Sequence, residues 1–265
     1  MNTRLTCIVL ALAAAALVQP AHAGRSCETK KPSVQTISRG LALAQKTAQA
    51  LEATGAQVVV LGRAGQDLGK YGVRHSHLGF AYREKTAQGG SVWRVVHKLN
   101  QCGTAESAIY RQGLGEFYLD DLWRFEAAWV VLQPDVQARL LPMLQDNRRI
   151  AALHHRPYSI VSYAWGQRYQ QSNQWAIETL AMAMEPVATS RGQAQAWLRF
   201  KGYQPTTLHL GPLTRLGARA SAANVAFDDH PSGQRFSDRI ETVTVDSVFE
   251  WLQRSGLGGA LTNIQ

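Results

Sequence analysis

The spacing of apolar residues predicts an alternation of helices and strands along most of the chain. Apolar residues recur at the three- and four-residue intervals of a helix face over residues 38–54, 134–147, 193–201 and 248–254, and from directly after Ser172 to before Pro186. Short β-branched and aromatic runs predict strands over residues 57–61, 76–83, 91–98, 129–132, 158–163, 208–210, 225–227 and 242–245. The glycine-containing stretches 62–72 and 106–118 are expected to lack regular structure.

Two of these strands are expected to pair as a hairpin, because the segment between them is polar and ends in Gly90. Side chains alternate between the two faces of a strand, so His77 shares a face with Gly79, and His97 shares one with Val95. Residues that face each other across paired strands can touch. His77 and His97 are therefore candidate neighbours, subject to the register of the hairpin.

The whole pattern favours one α+β domain with an antiparallel sheet packed by helices. The sequence shows no internal repeat and no linker rich in proline or serine. We expect this domain to span residues 24–265.

Residues 1–23 have the features of a secretory signal peptide. Arg4 precedes an apolar stretch from Cys7 to Val18, and Ala21-His-Ala23 is a small-x-small cleavage site. We therefore expect cleavage after Ala23 and a periplasmic or secreted protein. No later apolar stretch has the length that a membrane span needs.

Charge and cysteine content narrow the classes of partner. The chain carries a formal net charge of +9, which favours contact with an anionic envelope polymer such as a cell-wall peptide. Export and the lack of a basic run with interleaved aromatic residues argue against nucleic acid. In an oxidising compartment Cys27 and Cys102 could form a disulfide bond. Neither has a CxxC partner, and no cofactor or metal is expected.

Ser172, at the start of a predicted helix, has two interpretations. Serine is among the commonest helix caps, because its hydroxyl accepts from an amide of the first turn. It is also a possible nucleophile, whose oxyanion would be stabilised by the helix amides near Asn173. Trp165, in the loop before Ser172, could form the wall of a binding pocket.

His77 is the candidate general base, because it begins a strand beside small residues that leave room for a cleft. His97 could orient it by a hydrogen bond, as the third member of a catalytic triad does. The alternative is that both histidines are ordinary packed strand residues.

The string Asp228-Asp229-His230-Pro is a competing site. It could complete a Ser-His-Asp arrangement with Ser172 or bind a divalent cation. The same residue types are common in turns. Both interpretations stay open for Asp229 and His230.

Two motifs give the chain a resemblance to a known group. Ser76-His-Leu-Gly-Phe80 and Gln171-Ser-Asn-Gln-Trp-Ala176 resemble the histidine strand and nucleophile helix of circularly permuted papain-like proteins, of the NlpC and lecithin-retinol-acyltransferase type. The resemblance implies a papain-like α+β fold with His77 as base, His97 as the third polar residue and Ser172 at the nucleophile. Those enzymes have cysteine where this chain has serine, and a serine hydroxyl needs stronger base assistance.

Over most of its length the chain resembles bacterial domain-of-unknown-function family 2145. The resemblance rests on Gly65-Gln-Asp-Leu68, His75-Ser-His-Leu-Gly79, Ser172-Asn-Gln-Trp175, Phe227-Asp-Asp-His230 and Thr244-Val-Asp-Ser-Val-Phe249. It implies an exported bacterial protein and no particular activity.

The sequence therefore leads to two expected functions. The first is an exported hydrolase or acyl transferase acting on an amide or ester bond, with a cell-wall peptide as substrate class. In it Ser172 attacks, His77 takes the proton and His97 orients the imidazole. The second is a non-catalytic periplasmic binding module that retains the same cleft.

Overall fold

The structure, a computed structural model, describes residues 31–120 and 122–265. The expected signal peptide and Cys27 lie outside the described residues, so cleavage after Ala23 and the Cys27–Cys102 bond stay predictions. In the part of the chain that is described, no helix combines the length and the hydropathy needed to cross a membrane.

Helices and strands lie at most of the positions that the apolar pattern predicted, but they do not alternate strictly, because three strands (β2–β4) and four helices (α3–α6) follow one another directly. The helices are α1 (Val34–Ala53), α2 (Leu114–Tyr118), α3 (Pro134–Leu144), α4 (Asn147–Ala151), α5 (Ser172–Met184), α6 (Arg191–Phe200), α7 (Pro212–Ser221), α8 (Ser232–Arg235) and α9 (Val245–Arg254). The strands are β1 (Val58–Ala64), β2 (His77–Lys85), β3 (Ser91–Asn100), β4 (Ser107–Gly113), β5 (Arg124–Leu132), β6 (Thr206–His209), β7 (Arg239–Thr242) and β8 (Gly258–Ile264).

Six strands form one sheet in the order β4-β3-β2-β1-β5-β8, and all neighbours are antiparallel. The predicted hairpin is confirmed: β2 pairs with β3, with Phe80 opposite Val96 and Ala81 opposite Val95. β6 and β7 form a separate two-stranded sheet. The predicted α+β class with an antiparallel sheet packed by helices is thus confirmed.

Each side of the large sheet has its own apolar core, because successive strand side chains point to opposite faces. On one side, here called the α5 face, Leu78, Phe80 and Tyr82 of β2 pack with Trp175 and with helices α3, α6 and α9. On the other side, here called the α1 face, Ala81 packs with α1 and α2. Burial on both faces explains why β1 is apolar in nearly every position.

Several predicted assignments are wrong. Of the predicted strand 242–245 only Thr242 lies in a strand, because Val245 already begins α9, and the first three residues of the predicted loop 62–72 belong to β1. Residues 106–118 form β4 and α2 instead of an irregular segment. β4 lies at the sheet edge and is only half buried, so its polar composition concealed a strand. Residues 158–163 and 225–227 were predicted as strands, but they lack strand structure. The two segments are joined through Ser159, whose hydroxyl donates to the Ala226 carbonyl and accepts from the Ala226 amide.

Candidate functional site

The hairpin brings His77 and His97 together, as the sequence suggested. His77 Nε2 lies 2.8 Å from His97 Nδ1, and both rings are almost fully buried. The two residues are diagonal across the strands, because the register places Gly79 opposite His97. A Cβ on Gly79 would lie 2.9 Å from the His97 Cβ. Glycine at this position therefore makes room for the histidine pair (His77 and His97).

The protons on the two rings follow from the groups beside them. The Gln112 amide nitrogen donates to Glu116 Oε1 at 3.0 Å, which turns the Gln112 oxygen towards His97 Nε2 at 2.7 Å. His97 must then donate from Nε2 and accept at Nδ1, so the proton between the rings belongs to His77 Nε2. His77 Nδ1 is left with its lone pair, and it has no hydrogen-bond partner among residues 31–120 and 122–265.

Burial keeps both imidazoles neutral. It lowers the pKa of His77 well below the usual value, and the Arg63 guanidinium adds to the effect. Burial also lowers the pKa of His97 to about 4, again with help from Arg63. At neutral pH the pair is therefore uncharged and His77 Nδ1 is a base.

Ser172 is not the cap of its helix, so that interpretation is wrong. The cap is Gln171, whose side-chain oxygen accepts from the Asn173 amide at 3.0 Å. Ser172 is the first residue of α5, and its hydroxyl lies 3.4 Å from the Tyr158 hydroxyl with both residues buried. The shift of one position brings the long glutamine side chain into the cap role.

Ser172 and His77 lie on opposite faces of the sheet. α5 packs on the α5 face, where Trp175 and Leu78 share one core. His77 points the other way: its ring contacts Phe117 of the α1 face at a centroid distance of 6.1 Å. The structure therefore brings the two histidines together but does not place Ser172 beside them.

Asn173 joins the helix start to the strand start. Its side-chain oxygen accepts from the Leu78 amide at 3.2 Å, and its side-chain nitrogen donates to the Val243 carbonyl at 3.2 Å. The Asn173 backbone amide, expected to bind an oxyanion, already donates to Gln171. Asn173 thus has a structural function in this arrangement, and a binding role stays a prediction.

The Asp228–His230 string braces the loop before α5. Asp229 is buried and its Oδ2 accepts from the Tyr163 amide at 2.8 Å. His230 Nδ1 lies 3.0 Å from Asp229 Oδ1, without the alignment of a hydrogen bond. Asp228 forms an ion pair with Arg168 at 2.9 Å. The turn interpretation fits these contacts.

Trp165 packs against α6 instead of lining a pocket beside Ser172. The Arg199 guanidinium lies 4.2 Å from the centre of the indole, and Tyr203 meets it edge-on. Two surface depressions of about 440 and 270 Å³ lie elsewhere, beside α4 and α1. No predicted site residue lines either one.

Two buried polar clusters were not predicted. His75 is 1% exposed and lies between Asp246 at 2.8 Å and Glu126 at 3.1 Å. Glu178 is fully buried on α5 and receives hydrogen bonds from Arg191. A signal for the second was present, because Glu178 is the sole charged residue of an otherwise largely apolar helix.

The Glu178 cluster continues into β3. Gln170 donates to Glu178 Oε2 at 2.6 Å and accepts from Lys98 Nζ at 2.7 Å. Burial lowers the pKa of Lys98 to about 6. The hydrogen bonds of this cluster hold α5, α6 and β3 together. Among the residues described, three or more His, Cys, Asp or Glu side chains nowhere form a group that could hold a metal ion.

Comparisons with known proteins place the chain in one family. No curated protein and no solved structure matches it. The profile of a family described as "Uncharacterized protein conserved in bacteria (DUF2145)" matches residues 50–252, which include the histidine pair, Ser172 and Asp229. That match covers well over half of the sequence, and the chain belongs to this bacterial family.

Proposed function

We propose that the protein is an exported, non-catalytic binding module of the bacterial cell envelope, with an anionic envelope polymer such as a cell-wall peptide as its ligand. The observation that carries the proposal is the position of the sheet between Ser172 and His77. A base must reach the proton of its nucleophile directly or through one water. The arrangement lacks that contact.

The surroundings of Ser172 support the same conclusion. Its hydroxyl meets the buried Tyr158 hydroxyl, and the next amide along the helix is already bonded to Gln171. A nucleophile needs an open approach and unoccupied donors for the oxyanion. The net charge of +9 favours an anionic ligand, and export would bring the protein to one.

Under this proposal the chain shares an arrangement of elements with papain-like proteins but lacks their catalytic contact. In a papain-like protein the nucleophile helix begins beside the histidine strand, and Asn173 of this chain bonds to Leu78 directly after His77. Serine in place of cysteine is then a position that no longer needs a thiolate.

The test combines binding and turnover on the full chain. Purified protein is mixed with insoluble cell-wall sacculi at rising salt, and muropeptides and simple esters are assayed for release of product. We expect salt-sensitive binding, no product, and the same affinity in Ser172→Ala. Ser221→Ala, on an exposed helix surface, is the matched control.

Turnover that Ser172→Ala abolishes and Ser221→Ala keeps would overturn the proposal. So would the absence of binding to sacculi at low salt by a folded protein.

A second candidate function, an exported hydrolase or acyl transferase, is favoured by His77 Nδ1. This nitrogen is a neutral base with no hydrogen-bond partner among the described residues, and His97 holds its ring from the other side. Such a base could take a proton from a water that attacks an ester or amide carbon. Turnover that is lost in His77→Gln but kept in Ser172→Ala would identify this reaction.

A further inference from the structure

Helix α7 is oriented with its apolar side outward. Leu213 is 84% exposed and Leu216 is 68% exposed, whereas Arg215 is the sole buried residue of the helix. At about 100° per residue, the two leucines lie on one side of the helix and Arg215 lies nearly opposite Leu213. An amphipathic helix on a protein surface normally shows the reverse arrangement.

Arg215 fixes this orientation. Its guanidinium donates to the backbone carbonyls of Leu210, Gln234, Arg235 and Arg239 at 2.9–3.1 Å. Four hydrogen bonds from a buried side chain hold that side of α7 against α8 and β7. The outward leucines are therefore a fixed feature of the fold and not one rotation among several.

A further exposed apolar side chain lies near α8, the helix that Arg215 contacts. Phe236, which directly follows α8, is 82% exposed. Its backbone neighbour Arg235 accepts from Arg215 at 2.9 Å, so the two helices meet at this point. Because Arg215 lies nearly opposite Leu213, Phe236 is not counted with the leucines, and Leu213 and Leu216 are called the α7 patch below.

The charges around the α7 patch are mainly positive. Among residues 212–239 the exposed charged side chains are Arg219, Arg235, Asp238 and Arg239. Asp238 is paired with His209 and Arg239, and α7 itself contains no acidic residue. Asp228 is paired with Arg168, and Asp229 is buried. Arginine near exposed leucine suits an anionic surface with an apolar interior.

We propose that the α7 patch docks onto the surface of an anionic lipid bilayer, with α7 lying flat and its leucines inserted between the headgroups. Short amphipathic helices bind bilayers in this way when basic side chains flank the apolar residues. The inference goes beyond the proposed function and does not depend on whether the protein also binds a polymer or catalyses a reaction.

The test is sedimentation of the purified full chain with vesicles at about 0.1 M salt. One set contains phosphatidylglycerol and phosphatidylethanolamine in equal parts, and the other contains phosphatidylcholine alone. We expect binding to the anionic vesicles that is at least about tenfold stronger than binding to the neutral ones, and that weakens as salt is raised.

The double variant Leu213→Ser, Leu216→Ser should bind the anionic vesicles at least about tenfold less, the factor expected when burial of one leucine is lost. Phe200→Ser is the matched control, because Phe200 is also 82% exposed but lies at the end of α6. Both variants change solvent-exposed side chains, and their circular dichroism and melting temperature should match the parent protein.

Equal binding by the parent protein and the double variant would overturn the proposal, and so would an equal loss in Phe200→Ser. The parent protein could also bind neither vesicle type but self-associate, with the association lost in the double variant. That result would overturn the proposal in favour of a protein partner.

Discussion

Acid should destabilise the protein through the histidine pair. His97 is fully buried and its pKa is lowered to about 4 in the folded state, against 6.5 for an ordinary histidine. The unfolded chain therefore binds a proton at a pH where the folded chain does not. The free energy of unfolding is at its full value above about pH 6.5 and falls as the pH drops towards 4.

The expected loss follows from the pKa difference. One unit corresponds to about 1.4 kcal/mol. Between pH 6.5 and pH 5 the unfolded chain takes up the proton over roughly 1.5 units, so His97 alone should reduce the free energy of unfolding by about 2 kcal/mol. The pKa of His77 is also lowered, which adds to the effect. This is a large fraction of the 5–15 kcal/mol typical of a folded domain.

The assay is urea unfolding at pH 7 and pH 5, followed by tryptophan fluorescence. His97→Gln removes the titrating group and should reduce the difference between the two pH values by about 2 kcal/mol. His209→Gln is the control, because His209 is an exposed histidine paired with Asp238 on the surface. If His97→Gln kept the pH dependence of the parent protein to within about 0.5 kcal/mol, burial of a neutral histidine pair would be the wrong explanation.

Two further substitutions test the packing around the site. Glu178→Ala leaves the buried Arg191 guanidinium without its carboxylate and should cost about 3–5 kcal/mol in urea unfolding, whereas Glu250→Ala on an exposed surface should stay within about 0.5 kcal/mol. Gly79→Ala places a Cβ 2.9 Å from the Cβ of His97 and should lower the free energy of unfolding by about 1–3 kcal/mol. Gly192→Ala has open space and should be neutral or stabilising in the same measurement.

The histidine pair could be predicted from the sequence only in part. Strand alternation made His77 and His97 candidate neighbours, subject to the register of the hairpin, and the structure shows that they meet. The contact is diagonal, and it depends on Gly79 opposite His97. Alternation is a local property and can be predicted, but the proton order also needed Gln112 and Glu116 from the next elements along the chain.

The position of Ser172 relative to the histidine pair could not be predicted, because a sequence pattern does not say which face of a sheet a helix covers. α5 is buried on nearly all sides, so its apolar residues give no direction. The helix also begins one residue earlier than expected. Serine is among the preferred caps and glutamine is not, but Gln171 is the cap and Ser172 is the first helical residue. The sequence therefore predicted neither the helix start nor the face of the sheet on which Ser172 lies.

The same reasoning explains why α7 escaped prediction and why its orientation carries information. Helix-period patterns were interpreted as core-facing, which is the usual outcome, but the side of α7 that faces the protein is held by the backbone hydrogen bonds of Arg215. Hydrogen bonds can thus hold a helix in an orientation that leaves its apolar side exposed. Leu213 and Leu216 stay exposed in the folded chain, so folding alone does not recover the free energy that their burial would provide. A surface that buries them would recover it, so the orientation of α7 points to a docking partner in a way that its apolar pattern by itself does not.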